Sequence, residues 1–174
     1  MLDRYVFDLD NTLIFTNSLN NDSYNFALSK LNLPTIGACR ERLTRAIIFK
    51  SFPFLNEDQK SKLVGLKQEY FIRHINQTRP NKELIDKIRF YGPQACILWT
   101  SADEKRVIKL LEHYNLQEAF KKIYYSRKTN VEEDISKISK LLCCGPEQIV
   151  FYEDNPVIIE KLKSFEMVVM TVKS

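Results

Sequence analysis

The stretch Tyr5-Val6-Phe7-Asp8-Leu9-Asp10-Asn11-Thr12 decides the reading of this chain. A short apolar, β-favouring run ends there in two acids separated by one residue. Along a strand, side chains at i and i+2 leave the same face. Extended geometry continued through Asp10 would therefore set the Asp8 and Asp10 carboxylates side by side. Two like charges that close repel unless a cation or a shared proton relieves them. Metal-assisted chemistry is the expectation that follows.

Outward from this stretch the pattern turns helical. Thr16-Asn17-Ser18 and Asn20-Asn21-Asp22 supply capping side chains. Tyr24, Ala27, Leu28 and Leu31 then recur at helical spacing, so a helix is expected over 19–31, ended by Asn32 and Pro34. A second helix is expected over about 36–50, carrying Arg40, Arg42 and Arg45. The third starts at Asn56-Glu57-Asp58 and presents Leu63, Leu66, Tyr70 and Phe71 up to about Ile75. No strand is expected between Thr16 and Thr78.

From Arg79 onward helices and strands alternate. Asn81 caps a helix with Leu84, Ile85 and Ile88 on its apolar face, closed by Gly92-Pro93. Ala95 to Trp99 is a continuous apolar run that lands on Thr100-Ser101. Asp103 opens a helix with Val107, Leu110, Leu111 and Tyr114 inward, and Ile123-Tyr124-Tyr125 is a strand ending at Ser126-Arg127-Lys128. Val131, Ile135, Ile138 and Leu142 mark a helix stopped by Gly145-Pro146. Ile149 to Tyr152 is a strand landing on Glu153-Asp154; Pro156 starts a helix, and Val168 to Val172 is a last strand.

Such alternation predicts an α/β fold, a three-layer Rossmann-like parallel sheet of about five strands flanked by helices. Open parallel sheets gather ligands at the carboxyl ends of their strands. Asp8, Asp10, Thr100, Ser101, Lys128, Glu153 and Asp154 all end apolar runs, so they are expected on one rim. Singly, Asp10 reads as a turn acid and Asp154-Asn155-Pro156 as a helix start. Jointly they read as a site.

Length and composition bound the alternatives. At 174 residues, 44% hydrophobic and 28% charged, the chain has room for a sizeable core. A net charge of +4 is compatible with anionic substrates but lacks the dense basic footprint of a dedicated nucleic-acid binder. No apolar run approaches the ~18 residues of a membrane span. The first strand starts almost at Met1, leaving no room for a signal peptide, so a cytoplasmic protein is expected. Four cysteines, Cys39, Cys96, Cys143 and Cys144, form no CxxC or Cys/His pattern, which argues against zinc and a disulfide framework.

Several carboxylates on one rim call for a hard divalent cation with oxygen ligands, and Mg²⁺ suits them. With Asp10 protonated, the three charges of Asp8, Glu153 and Asp154 are balanced by Mg²⁺ plus Lys128. A metal, a lysine and a hydroxyl around one carboxylate are what phosphoryl transfer needs. Rival motifs fail. A calcium loop counted from Asp8 would place Leu13 and Leu19 where Gly and Glu belong, and the four glycines write no G-x-G-x-x-G or Walker loop.

The sequence resembles the haloacid dehalogenase superfamily, most of whose members are Mg²⁺-dependent phosphatases. Tyr5 to Ile14 (YVFDLDNTLI) resembles the first motif, hhhDxDxT; Ile97 to Ser101 resembles the second; Lys128 stands where the third motif's lysine belongs; Val150 to Asp154 resembles the acidic fourth. The resemblance implies Asp8 as nucleophile through an aspartyl-phosphate and Asp10 as general acid and then base. It implies Thr100 as a phosphoryl-binding hydroxyl and Lys128 as the cation beside Asp8. Mg²⁺ would be bound by Asp8, the backbone carbonyl of Asp10, Asp154, and Glu153 directly or through water.

The acid two residues after the nucleophile resembles the phosphatase branch. Here Thr129-Asn130 follow the lysine where many relatives have proline, and Ile158 occupies a place where many have Asp; Lys122 and Lys137 are the fallback lysines. The core is expected at 1–15 and 79–174, with 16–78 a helical cap that closes over the site and chooses the substrate. Asn11, Thr100, Ser101 and Arg45 are the expected substrate contacts, with Arg40, Arg42 and Lys50 as further cations. A small phosphorylated metabolite or nucleotide is the expected substrate. The alternatives are a phosphoprotein, a nucleic-acid end, or a phosphate-ligand-binding regulator without turnover.

Overall fold

β-Branched and aromatic residues flanked by turn formers set the strands, and amphipathic runs with polar caps set the helices. The computed structural model describes residues 3–37 and 42–172. In chain order these form β1 (Arg4–Phe7), β2 (Ile14–Phe15), α1 (Asn17–Lys30), α2 (Arg45–Ser51) and α3 (Glu57–Arg73). Next come β3 (Arg79–Pro80), α4 (Lys82–Tyr91), β4 (Cys96–Thr100), α5 (Glu104–His113) and β5 (Lys122–Tyr125). The chain continues with α6 (Val131–Leu142), β6 (Ile149–Glu153), α7 (Pro156–Ser164) and β7 (Val168–Thr171). None of the described helices is long and apolar enough to cross a membrane.

The chain divides into two compact units, residues 1–15 with 80–174, and residues 16–79. The first holds a five-stranded sheet of order β5-β4-β1-β6-β7, parallel throughout. The expected parallel α/β sheet is thus present. On one face Val6, Ile97, Trp99, Ile149 and Phe151 pack against Val131, Ile135, Ile138 and Leu142 of α6 and Ile158 and Leu162 of α7. On the other face Tyr5 stacks on Tyr91 of α4 at 3.5 Å, and Phe7 stacks on Tyr152 at 4.7 Å. Central strands buried on both faces read as continuous apolar runs, which is why β4 is buried along its whole length.

Capping explains the helix starts. Asn81, Asp103, Asn130 and Asn155 each accept a backbone N–H from the first turn of α4, α5, α6 and α7. Gly92, at φ 77 and ψ 159, takes a positive-φ conformation that glycine allows and closes α4. Cys143 adopts a left-handed conformation at φ 57 and ends α6 two residues before the expected stop at Gly145.

In the second unit α1, α2 and α3 share a core of Tyr24, Ala27, Leu28, Leu43, Ile48, Phe52, Leu55 and Leu63. The helix expected over 36–50 is shorter, spanning only Arg45–Ser51. The Leu43 carbonyl accepts from Asn20 Nδ2 and the Leu43 N–H donates to Asn21 Oδ1, both at 2.8 Å, so residue 43 is tied to α1 instead of a helical ladder. Thr44 then caps the helix by accepting from Ile47 N. Cys39 and Arg40 lie outside the described residues.

Candidate active site

β1 stops at Phe7, and the extended geometry expected through Asp10 is not kept. Asp8 still belongs to the ladder by its backbone, its N–H donating to Tyr152 O at 2.9 Å. The chain then curls back. Leu9 O accepts both Leu13 N and Ile14 N, at 3.0 and 2.9 Å, with Asn11 left-handed at φ 61. The turn gives different partners to the two acids that a strand would have kept parallel, although the Asp10 charge still adds to the rise of the Asp8 pKa. Asp8 faces Lys128, whereas Asp10 pairs with Arg106 of α5.

Neighbouring strand ends bring the rest of the rim together. β1 lies between β4 and β6, with Phe7 level with Leu98 and with Tyr152. Asp8, Thr100 and Glu153 therefore leave three adjacent strands at the carboxyl edge of the sheet. Lys128 Nζ donates to Asp8 Oδ1 at 2.6 Å and to Glu153 Oε2 at 2.7 Å. Its ammonium also sits 4.5 Å from the centroid of the buried Trp99 ring. Glu153 Oε1 accepts from Asn155 N at 3.1 Å, and Asp154 Oδ1 accepts from Thr12 Oγ1 at 3.2 Å.

Asp8, Glu153 and Asp154 each offer an oxygen within 4.8 Å of the others. Three carboxylates and one ammonium leave net negative charge in a buried place, and the donors are all oxygen. That set fits a hard divalent cation such as Mg²⁺. Burial pushes the Asp8 carboxyl up, to about 7; Lys128 pulls it back, and Glu153 adds to the rise. Burial draws Lys128 down, but the two carboxylates outweigh it and raise the ammonium above its ordinary range.

Thr100 ends β4 fully buried, its Oγ1 accepting from Ala102 N at 3.1 Å and its carbonyl accepting from Ser126 N at 3.0 Å. Ser101 is exposed. Asn11 is buried inside the turn. Arg45 is exposed at the start of α2 in the helical unit, and Arg42 there bonds Thr16 and Asn17. Lys137 pairs with Glu133 in solvent and Lys122 is exposed in β5, so neither joins the acids that hold Lys128.

Sequence reading passed over Arg106, Ser126 and Asp134. Arg106 is 6% exposed, one turn before the buried Leu110 on the inward face of α5. An arginine in the apolar stripe of a helix that follows a candidate strand end is the signal that could have found it. Asp134 likewise interrupts the stripe of Val131, Ile135 and Ile138.

None of the curated proteins compared matches the chain. Among solved structures, a predicted phosphoglycolate phosphatase from Haemophilus somnus 129pt is similar at a TM-score of 0.75 and 18% identity, over 98% of this chain and 84% of that one. A HAD hydrolase of family IA, variant 3, from Entamoeba histolytica gives a TM-score of 0.75 at 17% identity, over 96% and 82%. A HAD-superfamily hydrolase of subfamily IA, variant 1, from Geobacter sulfurreducens gives 0.71 at 14%, over 98% and 86%. At these identities the likeness speaks for the fold. Sequence carries the family: the haloacid dehalogenase-like hydrolase profile matches residues 5–172, and the chain belongs to that family.

Proposed function

We propose that the protein is a Mg²⁺-dependent phosphatase that hydrolyses a phosphomonoester of a small metabolite or nucleotide through an aspartyl-phosphate at Asp8. One observation carries this reading: a buried strand-end carboxylate, Asp8, is held at 2.6 Å by a buried lysine, with two further acids within 4.8 Å.

Asp8, Glu153 and Asp154 would hold Mg²⁺, which when bound supplies positive charge for the phosphoryl oxygens and for the crowded acids. Lys128 keeps a positive charge beside Asp8, which favours the ionised form of the carboxylate that attacks phosphorus. The Asp8 oxygen forms a bond to phosphorus as the ester P–O bond breaks, and Asp10 gives the departing oxygen its proton. Water then attacks phosphorus, the P–O bond to Asp8 breaks, and Asp10 takes the water's proton. The Arg106 pair at Asp10 Oδ2 orients the carboxyl, and Oδ1 is the oxygen that carries the proton. Thr100 offers a hydroxyl at the same strand edge for a phosphoryl oxygen.

We assign choice of leaving group to the helical unit, residues 16–78, in which Arg45 is an exposed cation. The similar Haemophilus somnus protein is described as a phosphoglycolate phosphatase, which favours a small anionic phosphate ester as the first compound to assay.

The experiment is hydrolysis of p-nitrophenyl phosphate with Mg²⁺, followed by a panel of phosphorylated metabolites, for the wild type and Asp8→Asn. Loss of turnover in the variant is expected. Equal rates in the two proteins would remove Asp8 from the chemistry.

A further inference from the structure

Lys128 makes its two carboxylate contacts from an unfavourable backbone. Its φ is 57, a left-handed conformation that non-glycine residues adopt rarely. Thr129 and Asn130 follow it, so no proline stiffens the loop. Something else must hold the turn.

The hydrogen bonds supply it. Lys128 N donates to Ser126 Oγ at 3.0 Å, and Ser126 Oγ donates to Asp134 Oδ2 at 2.5 Å. The other Asp134 oxygen accepts from Tyr124 OH at 2.8 Å. Ser126 itself is anchored by its N–H to Thr100 O at 3.0 Å. The direction of the chain is determined. A serine hydroxyl has one proton, and Ser126 donates it in the bond to Asp134 Oδ2, so an Oγ lone pair accepts the Lys128 N–H. Asp134 is buried, 5% exposed, in the first turn of α6, where the helix dipole favours a negative charge.

We propose that Ser126 and Asp134 are positioning residues: the chain Asp134–Ser126–Lys128 N holds the left-handed turn that puts the Lys128 ammonium between Asp8 and Glu153. Neither residue touches the reacting atoms. Their effect on turnover rests on the role given to Lys128 under Proposed function; their effect on where Lys128 sits does not.

The test uses the intact protein with Ser126→Ala, Ser126→Thr and Asp134→Leu, the last suiting the apolar stripe of α6. Acetic anhydride labelling, resolved by mass spectrometry, reports access to each lysine. Lys128 is 7% exposed and Lys82 and Lys105 are exposed, so the latter are internal references. Ser126→Ala and Asp134→Leu are expected to raise Lys128 labelling about tenfold against those references, with Ser126→Thr returning it to within about twofold of wild type. On p-nitrophenyl phosphate with Mg²⁺, kcat is expected to fall about tenfold in the first two variants with KM nearly constant, and to recover in Ser126→Thr. Unchanged Lys128 labelling in both Ser126→Ala and Asp134→Leu overturns the proposal. So does a rise shared by all lysines, which marks general loosening. Selective Lys128 exposure with unchanged kcat supports the positioning chain and overturns the catalytic role given to Lys128.

Discussion

Lys128 Nζ lies 2.6 Å from Asp8 Oδ1, joining residues 120 positions apart in the chain, and the same ammonium reaches Glu153 at 2.7 Å. Desolvation makes such a cluster costly to assemble and costlier to break on one side. Lys128→Met would leave two buried acids facing each other without their cation. The variant is expected to lose about 3 kcal/mol of stability in EDTA, and less in Mg²⁺ because the metal relieves the same repulsion. Urea unfolding in both buffers measures the two losses.

The Asp8 carboxyl gives the metal-free protein a signed pH dependence. Its pKa is about 7 when folded against an ordinary 3.8, so between those values the folded state keeps a proton the unfolded chain has released. Stability from this group is therefore highest near pH 4, falls as pH rises to about 7, and is level above that. Lys128, raised above its ordinary range, stays charged across the whole window. Asp8→Asn lacks the carboxyl, so its stability relative to wild type should improve steadily from pH 4 to 7 in EDTA. Denaturation midpoints at intervals of pH measure the difference.

The sheet was legible in the sequence because its strands are short apolar runs closed by polar residues, as in Ile97-Leu98-Trp99-Thr100. The turn at Leu9–Asn11 was not. An apolar residue between two acids reads as strand alternation, and only the Leu9 carbonyl, shared by Leu13 and Ile14, shows the chain curling back. The true start of α2 was hidden for a similar reason: Asn20 and Asn21, far back in sequence, take the Leu43 backbone groups. Arg106 and Asp134 were missed because a charged residue in a helix is read by default as solvated. Their partners, Asp10 and Ser126, come from other segments.

Arg106 lies in the first turn of α5, where the amino end of the helix disfavours a cation, and Asp10 compensates it. Side-chain exposures of 7% and 16% make this a largely buried pair. Arg106→Met is expected to cost about 3 kcal/mol of stability and to lower kcat by at least about tenfold, since Asp10 loses the group that orients it. Arg106→Lys keeps the charge but not the fork, and should recover stability better than turnover. Urea unfolding paired with steady-state kinetics separates the two effects.

The described cysteines should react in order of burial. Cys143 is exposed; Cys144 is partly covered, with its thiol raised by burial; Cys96 is fully buried in β4, with its thiol pushed up to about 12. Only a thiolate reacts readily. Iodoacetamide at pH 8 should modify Cys143 first, Cys144 more slowly, and Cys96 only after unfolding in guanidinium. Peptide mapping over time reads the order.

Thr12 Oγ1 donates to Asp154 Oδ1 at 3.2 Å, and Asn81 Nδ2 holds the Thr12 carbonyl at 3.1 Å. The hydroxyl thus restrains a carboxylate proposed to bind Mg²⁺. Thr12→Val keeps shape and removes that restraint. Partners behind a metal ligand commonly contribute tenfold or more to affinity, so the Mg²⁺ needed for half-maximal turnover should rise about tenfold. At saturating Mg²⁺ the rate should return to within about threefold of wild type, because Asp8, Asp10 and Lys128 are untouched. Thr12→Ser, which restores the donor, should restore the Mg²⁺ dependence. A Mg²⁺ titration of p-nitrophenyl phosphate hydrolysis distinguishes this from a lowered kcat at unchanged Mg²⁺ dependence, which would put the hydroxyl's contribution on the phosphoryl group instead.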